Sequence, residues 1–317
     1  VEPEAPSAAP AELRAAVLLN AKAGSITEGG EAEFGQSLAA LFARHGMSAT
    51  LEFVEHGRLI ESAERARKGA ESGAYDLVVV GGGDGTVRTL AGILAGSDVP
   101  LGVLPLGTLN HFAKDLSISL DMDGAVRTLS EGHIRVVDLG EVNGHFFINN
   151  SSVGIYPSLV VERDRRMKQS GQRKFVAMMG AALSTVRKFT RHKMRIVAVD
   201  GFESCRTPCL FVGNNTYSLA GRSLGSRARL DEGRLSFYVS KQKSALALLA
   251  TALRALFGRL DYERDVRILH AVSAEVHSHK HRALVALDGE VKTLSFPLRY
   301  RIRPGALRVI APQPAIA

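Results

Sequence analysis

Three short polar segments, each closing a run of apolar residues, hold the residue types that phosphate chemistry uses. They are Asn20-Ala21-Lys22-Ala23-Gly24-Ser25, Gly81-Gly82-Gly83-Asp84-Gly85-Thr86 and Pro105-Leu106-Gly107-Thr108-Leu109-Asn110. Glycines let backbone N–H groups approach phosphate oxygens, and a helix starting at such a loop adds partial positive charge. The second segment lacks Gly-Lys-Ser/Thr, and Thr86 breaks the G-x-G-x-x-G spacing, so neither a P-loop nor a dinucleotide fingerprint is present. An acid inside such a loop, Asp84, would repel phosphate unless a cation lies between them or it handles a proton. A plain strand-to-helix turn is the competing reading of residues 81–85.

Two later segments place acids beside turn residues: Asp231-Glu232-Gly233-Arg234 and Asp288-Gly289-Glu290. Asp-Gly between alternating runs is also a strong hairpin signal, so a simple turn competes with a site at both. His277, His279 and His281 alternate along a predicted strand. They would share one face, either a metal site or, more simply, an exposed polar face beside Lys280 and Arg282.

The elements that must carry these residues follow from periodicity. Strands are predicted at residues 15–20, 50–54, 75–80 and 101–104, and helices at 31–45, 59–69 and 86–95. Strand–helix alternation of this spacing implies a mostly parallel sheet, and ligands bind such sheets outside the strands' carboxyl ends. The three polar segments then fall at one edge. The second half reads as strands at 136–142, 145–153, 194–199, 208–213, 235–240, 266–271, 284–287, 291–301 and 307–311, interrupted by helices near 172–190 and 244–257. The expected fold is therefore an α/β domain over residues 1–138 followed by an antiparallel, β-rich domain over 139–302. Residues 303–317 are expected to pack back on the first domain.

Composition narrows the class. Of 317 residues 45% are hydrophobic and 23% charged, which excludes a disordered chain. The net charge of +8 favours an anionic partner. Two cysteines, Cys205 and Cys209, are too few for a disulfide framework or a four-cysteine zinc site. No stretch reaches the roughly 18–20 apolar residues of a membrane-spanning helix. No nucleic-acid recognition element is evident, so nucleic acid is not an expected partner.

Gly82-Gly83-Asp84-Gly85-Thr86 together with Pro105-Leu106-Gly107-Thr108-Leu109-Asn110 resembles the diacylglycerol kinase catalytic-domain family, which includes bacterial soluble lipid kinases, sphingosine kinases and ceramide kinases. The first motif alone is shared with NAD kinases and resembles phosphofructokinases. The second, followed by Phe112, Ala113 and Leu116, is more specific. The resemblance implies an NAD kinase-like α/β nucleotide domain and a C-terminal β-sandwich, with ATP and lipid meeting between them. It implies that Asn20, Lys22, Gly24, Ser25, Gly82, Gly83, Asp84, Gly85, Thr86, Gly107, Thr108 and Asn110 serve the nucleotide. Glu290 would take the proton from the lipid hydroxyl together with Asp84, beside Asp288; which acid accepts it stays open. Arg229, Asp231, Glu232 and Arg234 stand where the family holds a structural Mg²⁺.

The chain departs from the family pattern at Ala21, Ala23, His111 and Glu232, where Pro, Ser, Asp and Asp are usual. From residue 163 to 193, ten Lys and Arg face one acid, Asp164, a local balance of +9. Phe175, Met178, Met179, Ala182, Val186 and Phe189 recur there at helical spacing. An amphipathic helix on an anionic bilayer and an ordinary helix with a solvated basic face both fit. The expectation is a cytoplasmic, peripherally membrane-associated lipid kinase using ATP and Mg²⁺, with a homodimer left open. NAD kinase activity, or lipid binding without catalysis, is the alternative.

Overall fold

Residues 15–19 form the buried middle of strand β1 (Leu13–Asn20), which lies between β2 (Met47–Val54) and β3 (Leu77–Gly82), both parallel to it. Strand β4 (Leu101–Pro105) continues the sheet on the far side of β3, also in parallel. All six β3 residues are buried, as expected for a strand covered on both faces. The computed structural model describes residues 12–22, 30–170, 191–198, 201–218, 225–256 and 262–313. The chain divides into two units, Val1–Arg135 with Arg308–Ala317, and Val136–Leu307.

In the first unit, helix α1 (Glu31–Arg44) buries Leu38 and Phe42, and α2 (Leu59–Glu71) buries Leu59, Ala63 and Ala66. Each is the i, i+4 stripe of an amphipathic helix. Helix α3 (Asp84–Leu94) follows β3 directly. Two helices went unanticipated: α4 (His111–Asp115), and α5 (Met122–Glu131), whose Asp121 cap accepts the Gly124 N–H at 2.8 Å. Strand β3 runs two residues further than expected, because Gly81 and Gly82 pair in register with Leu104 and Pro105. At the chain's end Val309 pairs in parallel with Leu101, so the C-terminal segment joins this unit's sheet.

The second unit contains β6 (His145–Phe147), β7 (Asn150–Gly154), β8 (His192–Ala198), β9 (Gly201–Thr207), β10 (Cys209–Asn214) and β11 (Leu235–Ser240). It continues with β12 (Val266–Ala271), β13 (Ser273–Ser278), β14 (Arg282–Leu287) and β15 (Glu290–Ser295). Strands β5 (His133–Val142) and β16 (Leu298–Ala311) carry residues of both units. One antiparallel sheet has the order β12-β11-β10-β7-β14-β15, and a second layer runs β16-β13-β8-β9 with the β5–β6 hairpin on β16. Val153, Leu210, Phe237 and Val285 from the first layer and Met194, Ile196, Val276 and Tyr300 from the second share one core. Helices α6 (Ile155–Ser170), α7 (Ala245–Leu256) and α8 (Tyr262–Asp265) complete the described elements. The fully buried Asp265 accepts two hydrogen bonds from Arg254, at 2.8 and 3.0 Å, tying α7 to α8.

Several sequence expectations change here. The strand expected over 145–153 breaks at Ile148 and Asn149, whose N–H groups go to a side chain instead of a neighbouring strand. The strand expected over 291–301 breaks at Phe296-Pro297, where proline has no donor for the ladder, and its second part runs on through 307–311 as β16. Strand β9 and helix α6 were not anticipated. The histidine alternation ends with β13: His277 pairs with Glu275 at 3.0 Å, while His279 and His281 lie in the β13–β14 connection. The helix expected near 172–190 lies outside the described residues.

Candidate functional site

The three polar segments of the first unit end adjacent parallel strands, with Leu19 opposite Gly81 and Gly82 opposite Pro105. The Asn20 amide ties two of them together. Its Nδ2 donates to Thr86 Oγ1 at 3.1 Å and its Oδ1 accepts the Lys22 N–H at 3.0 Å. The Lys22 side chain is exposed, and Gly24 and Ser25 lie outside the described residues. Within the glycine run, Gly81 and Gly82 are required by internal packing. A Cβ at Gly81 would meet Leu19 at 2.5 Å, and one at Gly82 would meet Thr86 at 2.7 Å.

Gly83 is different. A Cβ there would have only the Gly107 Cα nearby, at 3.4 Å, so the second and third segments touch backbone to backbone. Asp84 holds them so: its carboxylate accepts the N–H groups of His111 at 3.2 Å and Phe112 at 3.1 Å. These are the first donors of α4, whose own cap residue Asn110 supplies no side-chain bond. Asn110 instead folds its own loop. At φ 49° it accepts the Gly107 N–H at 3.0 Å and donates to the carbonyls of Gly107 at 2.8 Å and Pro105 at 3.1 Å. Gly85, the second residue of α3, accepts the Thr89 hydroxyl through its carbonyl, while Thr108 is exposed.

The close approach gives a direct test. A Cβ at Gly107 would overlap the Gly83 Cα and lie 2.7 Å from Asn110 Oδ1. Gly107→Ala should therefore destabilise the protein by about 1–3 kcal/mol, read as a lowered urea midpoint. An unchanged midpoint would show that the two loops have room to part.

In the second unit Asp288 and Gly289 form the β14–β15 turn between the paired residues Leu287 and Glu290, at φ 47° and 86°. The Asp288 carboxylate accepts three backbone N–H groups: Ile148 at 2.9 Å, Asn149 at 2.8 Å and Asn150 at 3.0 Å. Glu290 opens β15, half-buried, two residues beyond. Arg227, which nothing in the local sequence marks, grips the same tripeptide from its oxygen side. It is 3% exposed and donates to Ile148 O at 2.7 Å, Asn149 Oδ1 at 2.6 Å and Asn214 O at 3.2 Å.

Two family models match the chain: the diacylglycerol kinase catalytic domain over residues 14–142, and the YegS C-terminal NAD kinase beta sandwich-like domain over 156–311. A Pseudomonas aeruginosa protein named "Probable lipid kinase YegS-like" is 31% identical over 261 residues, covering 79% of this chain and 81% of that protein. The chain belongs to this lipid kinase family. A namesake from Pseudomonas fluorescens is 29% identical over 260 residues. The fold of a diacylglycerol kinase from Bacillus anthracis superposes with a TM-score of 0.68 at 20% identity, over 96% of this chain and 98% of that one. In this chain an α/β catalytic domain thus precedes a β-sandwich-like domain. Residues 143–155 lie between the two matches, and it is there that Asp288 and Arg227 hold residues 148–150.

The structural Mg²⁺ implied at residues 229–234 does not fit the donor set. Arg229 binds Asp231 at 3.1 Å, and Arg234 and the Thr216 hydroxyl bind Glu232 at 3.0 and 2.5 Å. Burial works to raise the Glu232 carboxyl, but the Thr216 hydroxyl and Arg234 outweigh it and hold it below its usual range. Among the described residues no three His, Cys, Asp or Glu side chains group as metal ligands. The loop is instead fastened by Asp138, 2% exposed, which accepts the Gly233 N–H at 2.7 Å and the Gly305 N–H at 2.8 Å. Excess EDTA should accordingly leave the thermal midpoint of the nucleotide-free protein unchanged. A midpoint that falls with EDTA and recovers with Mg²⁺ would restore the metal.

Proposed function

We propose that this lipid kinase transfers the γ-phosphate of ATP to the hydroxyl of a diacylglycerol-like membrane lipid. The observation that carries the reading is the Asp84 brace. It joins the starts of α3 and α4 and presses the Gly83 and Gly107 backbones together at the strands' carboxyl ends. In a chain of this family, that arrangement suits the phosphates of a nucleotide. Gly82 to Thr86 supply the loop and the first helical turn, Thr108 an exposed hydroxyl, and Lys22 a positive charge. Asn20 and Asn110 shape the loops more than they touch the ligand, since their amides are engaged within the protein. Mg²⁺ is proposed as the nucleotide's counter-ion, and residues 229–234 take no part in holding it.

Glu290 is proposed as the acceptor of the hydroxyl proton, with Asp84 and Asp288 as positioning residues. Phosphoryl transfer needs placement and charge neutralisation more than covalent help, so an acid that accepts the proton late suffices. Membrane attachment is proposed through the basic region of residues 163–193. In its described part Arg163 pairs with Asp164 at 2.7 Å, an acid the +9 already counts, and Arg165 pairs with Glu162 at 2.8 Å, an acid just outside the stretch that lowers the balance by one.

The test is purified protein with labelled ATP and Mg²⁺, offered diacylglycerol, ceramide and a sphingoid base in mixed vesicles, and NAD in solution. Label is expected in diacylglycerol. Label in ceramide or the sphingoid base alone would move the substrate class. Label in NAD alone, or none in any acceptor, would overturn the reading.

A further inference from the structure

The sandwich unit carries a cavity of about 220 Å³ beside β8, the β13–β14 connection and the start of α6. Its lining is largely apolar: Val153 and Met194 from the core, the partly buried Phe296 packed against it, and the exposed Leu284. Its mouth is cationic, formed by Lys280 and Arg282, both exposed. Among the described residues no acid lines it, and no carboxylate forms an ion pair with either Lys280 or Arg282. His192, which also lines the cavity, is held below its usual pKa by burial and by the neighbouring Lys280 charge, so the cationic character rests on Lys280 and Arg282.

This place is separate from the proposed chemistry. Arg282 opens β14 opposite Ser295, and Leu287 closes it opposite Glu290. Five residue steps of a strand, about 3.4 Å each, put the cationic mouth at Arg282 roughly 17 Å from the Asp288–Glu290 turn, and Leu284, three steps away, lies roughly 10 Å from it. An apolar lining under a cationic mouth asks for a ligand with both an acyl chain and an anionic head. Free phosphate would leave the apolar lining unused, and a zwitterionic head would offer the cations less. The volume equals roughly seven waters' share of liquid, enough for part of one chain and not for a whole lipid.

We propose that this cavity binds an anionic phospholipid of the bilayer, with its phosphate on Lys280 and Arg282 and part of one acyl chain over Val153, Met194, Leu284 and Phe296. The proposal stands apart from the phosphotransfer reading, since it concerns a bystander lipid at the opposite end of the hairpin.

The test is calorimetric titration of the full chain with dioctanoyl phosphatidylglycerol below its micellar concentration. Dioctanoyl phosphatidylcholine and inorganic phosphate serve as comparison ligands. Removing both cations in Lys280→Gln/Arg282→Gln should weaken phosphatidylglycerol binding about 30-fold. Both side chains are exposed, so the variant should fold, which its thermal midpoint checks. Leu284→Gln should weaken the lipid several-fold and leave any phosphate binding as it was. Phosphatidylglycerol binding unchanged in the double variant would overturn the proposal. Inorganic phosphate binding as tightly as the lipid would also overturn it, leaving a free-anion site. Glu290→Gln should bind the lipid like wild type; loss there with retention in the double variant would place the lipid at the catalytic turn and overturn the proposal as well.

Discussion

Glu290→Gln should lose lipid phosphorylation by 10²- to 10⁴-fold in kcat while the KM for ATP and the thermal midpoint stay close to wild type. The rate estimate is the usual value of a positioned general base, about 10²–10⁴. The unchanged fold follows from where Glu290 sits. It opens β15, and its place in the ladder is a backbone pairing with Leu287 that glutamine keeps. Its shape is conserved and only the proton-accepting charge goes. Asp84→Asn is the informative companion, because Asp84 spends its carboxylate on the N–H groups of His111 and Phe112. Its loss should loosen α4 and raise the KM for ATP besides slowing turnover. If Glu290→Gln turns over near the wild-type rate while Asp84→Asn loses kcat with its KM for ATP and thermal midpoint unchanged, the proton goes to Asp84.

The parts of the fold that the sequence displays are those governed by neighbours along the chain. The β3–α3 transition is visible because an apolar run meets glycines, and the β14–β15 hairpin because Asp288-Gly289 takes up the two positive φ values that its turn needs. The carboxyl-end placement of three loops follows from strand–helix alternation alone. What stays hidden depends on partners far along the chain. Asp84 meets α4 across 27 residues, and Asp288 meets Ile148 across 140. No local signal marks either bond, so the sequence offers a site or a plain turn at each acid, and not the distant backbone groups that each carboxylate holds. The packing demand on each glycine is hidden for the same reason. Gly81 is small because Leu19 and Leu106 press on it, and Gly82 because Thr86 does, while Gly83 and Gly107 allow a close approach of two backbones. Arg227 is invisible in sequence, since a buried arginine in a turn region has no spacing to betray it. In the metal loop, Arg229 and Arg234 flank the acids in sequence, and the structure shows them closing on those acids.

Asp288→Ala should be the most destabilising single change among the acids, costing about 3–5 kcal/mol. Three backbone N–H groups end on that carboxylate, and hydrogen bonds to a charged group contribute about 1.5–3 kcal/mol each, less than additively when they share one acceptor. Alanine also has to sit at φ 47°, which costs a further 1–2 kcal/mol or so where aspartate is better tolerated. Asp288→Asn keeps the backbone preference and one acceptor oxygen, so it should fall between alanine and wild type. The measurement is the urea midpoint at pH 7, and a loss under about 0.5 kcal/mol for the alanine variant would mean that water replaces the carboxylate. Arg227→Met removes the grip on the other side of the same tripeptide, through Ile148 O and Asn149 Oδ1. Once Asp288 has let go, losing Arg227 should cost less than it does alone, and the double-mutant cycle should show coupling of about 1 kcal/mol or more. The kinetic side separates structure from positioning. Asp288→Asn that folds at the assay temperature yet loses more in kcat than in KM for either substrate would show the turn aiming Glu290, two residues away. Equal losses in protein stability and active-site titre, with kcat per active site unchanged, would confine Asp288 to holding β7 against β14.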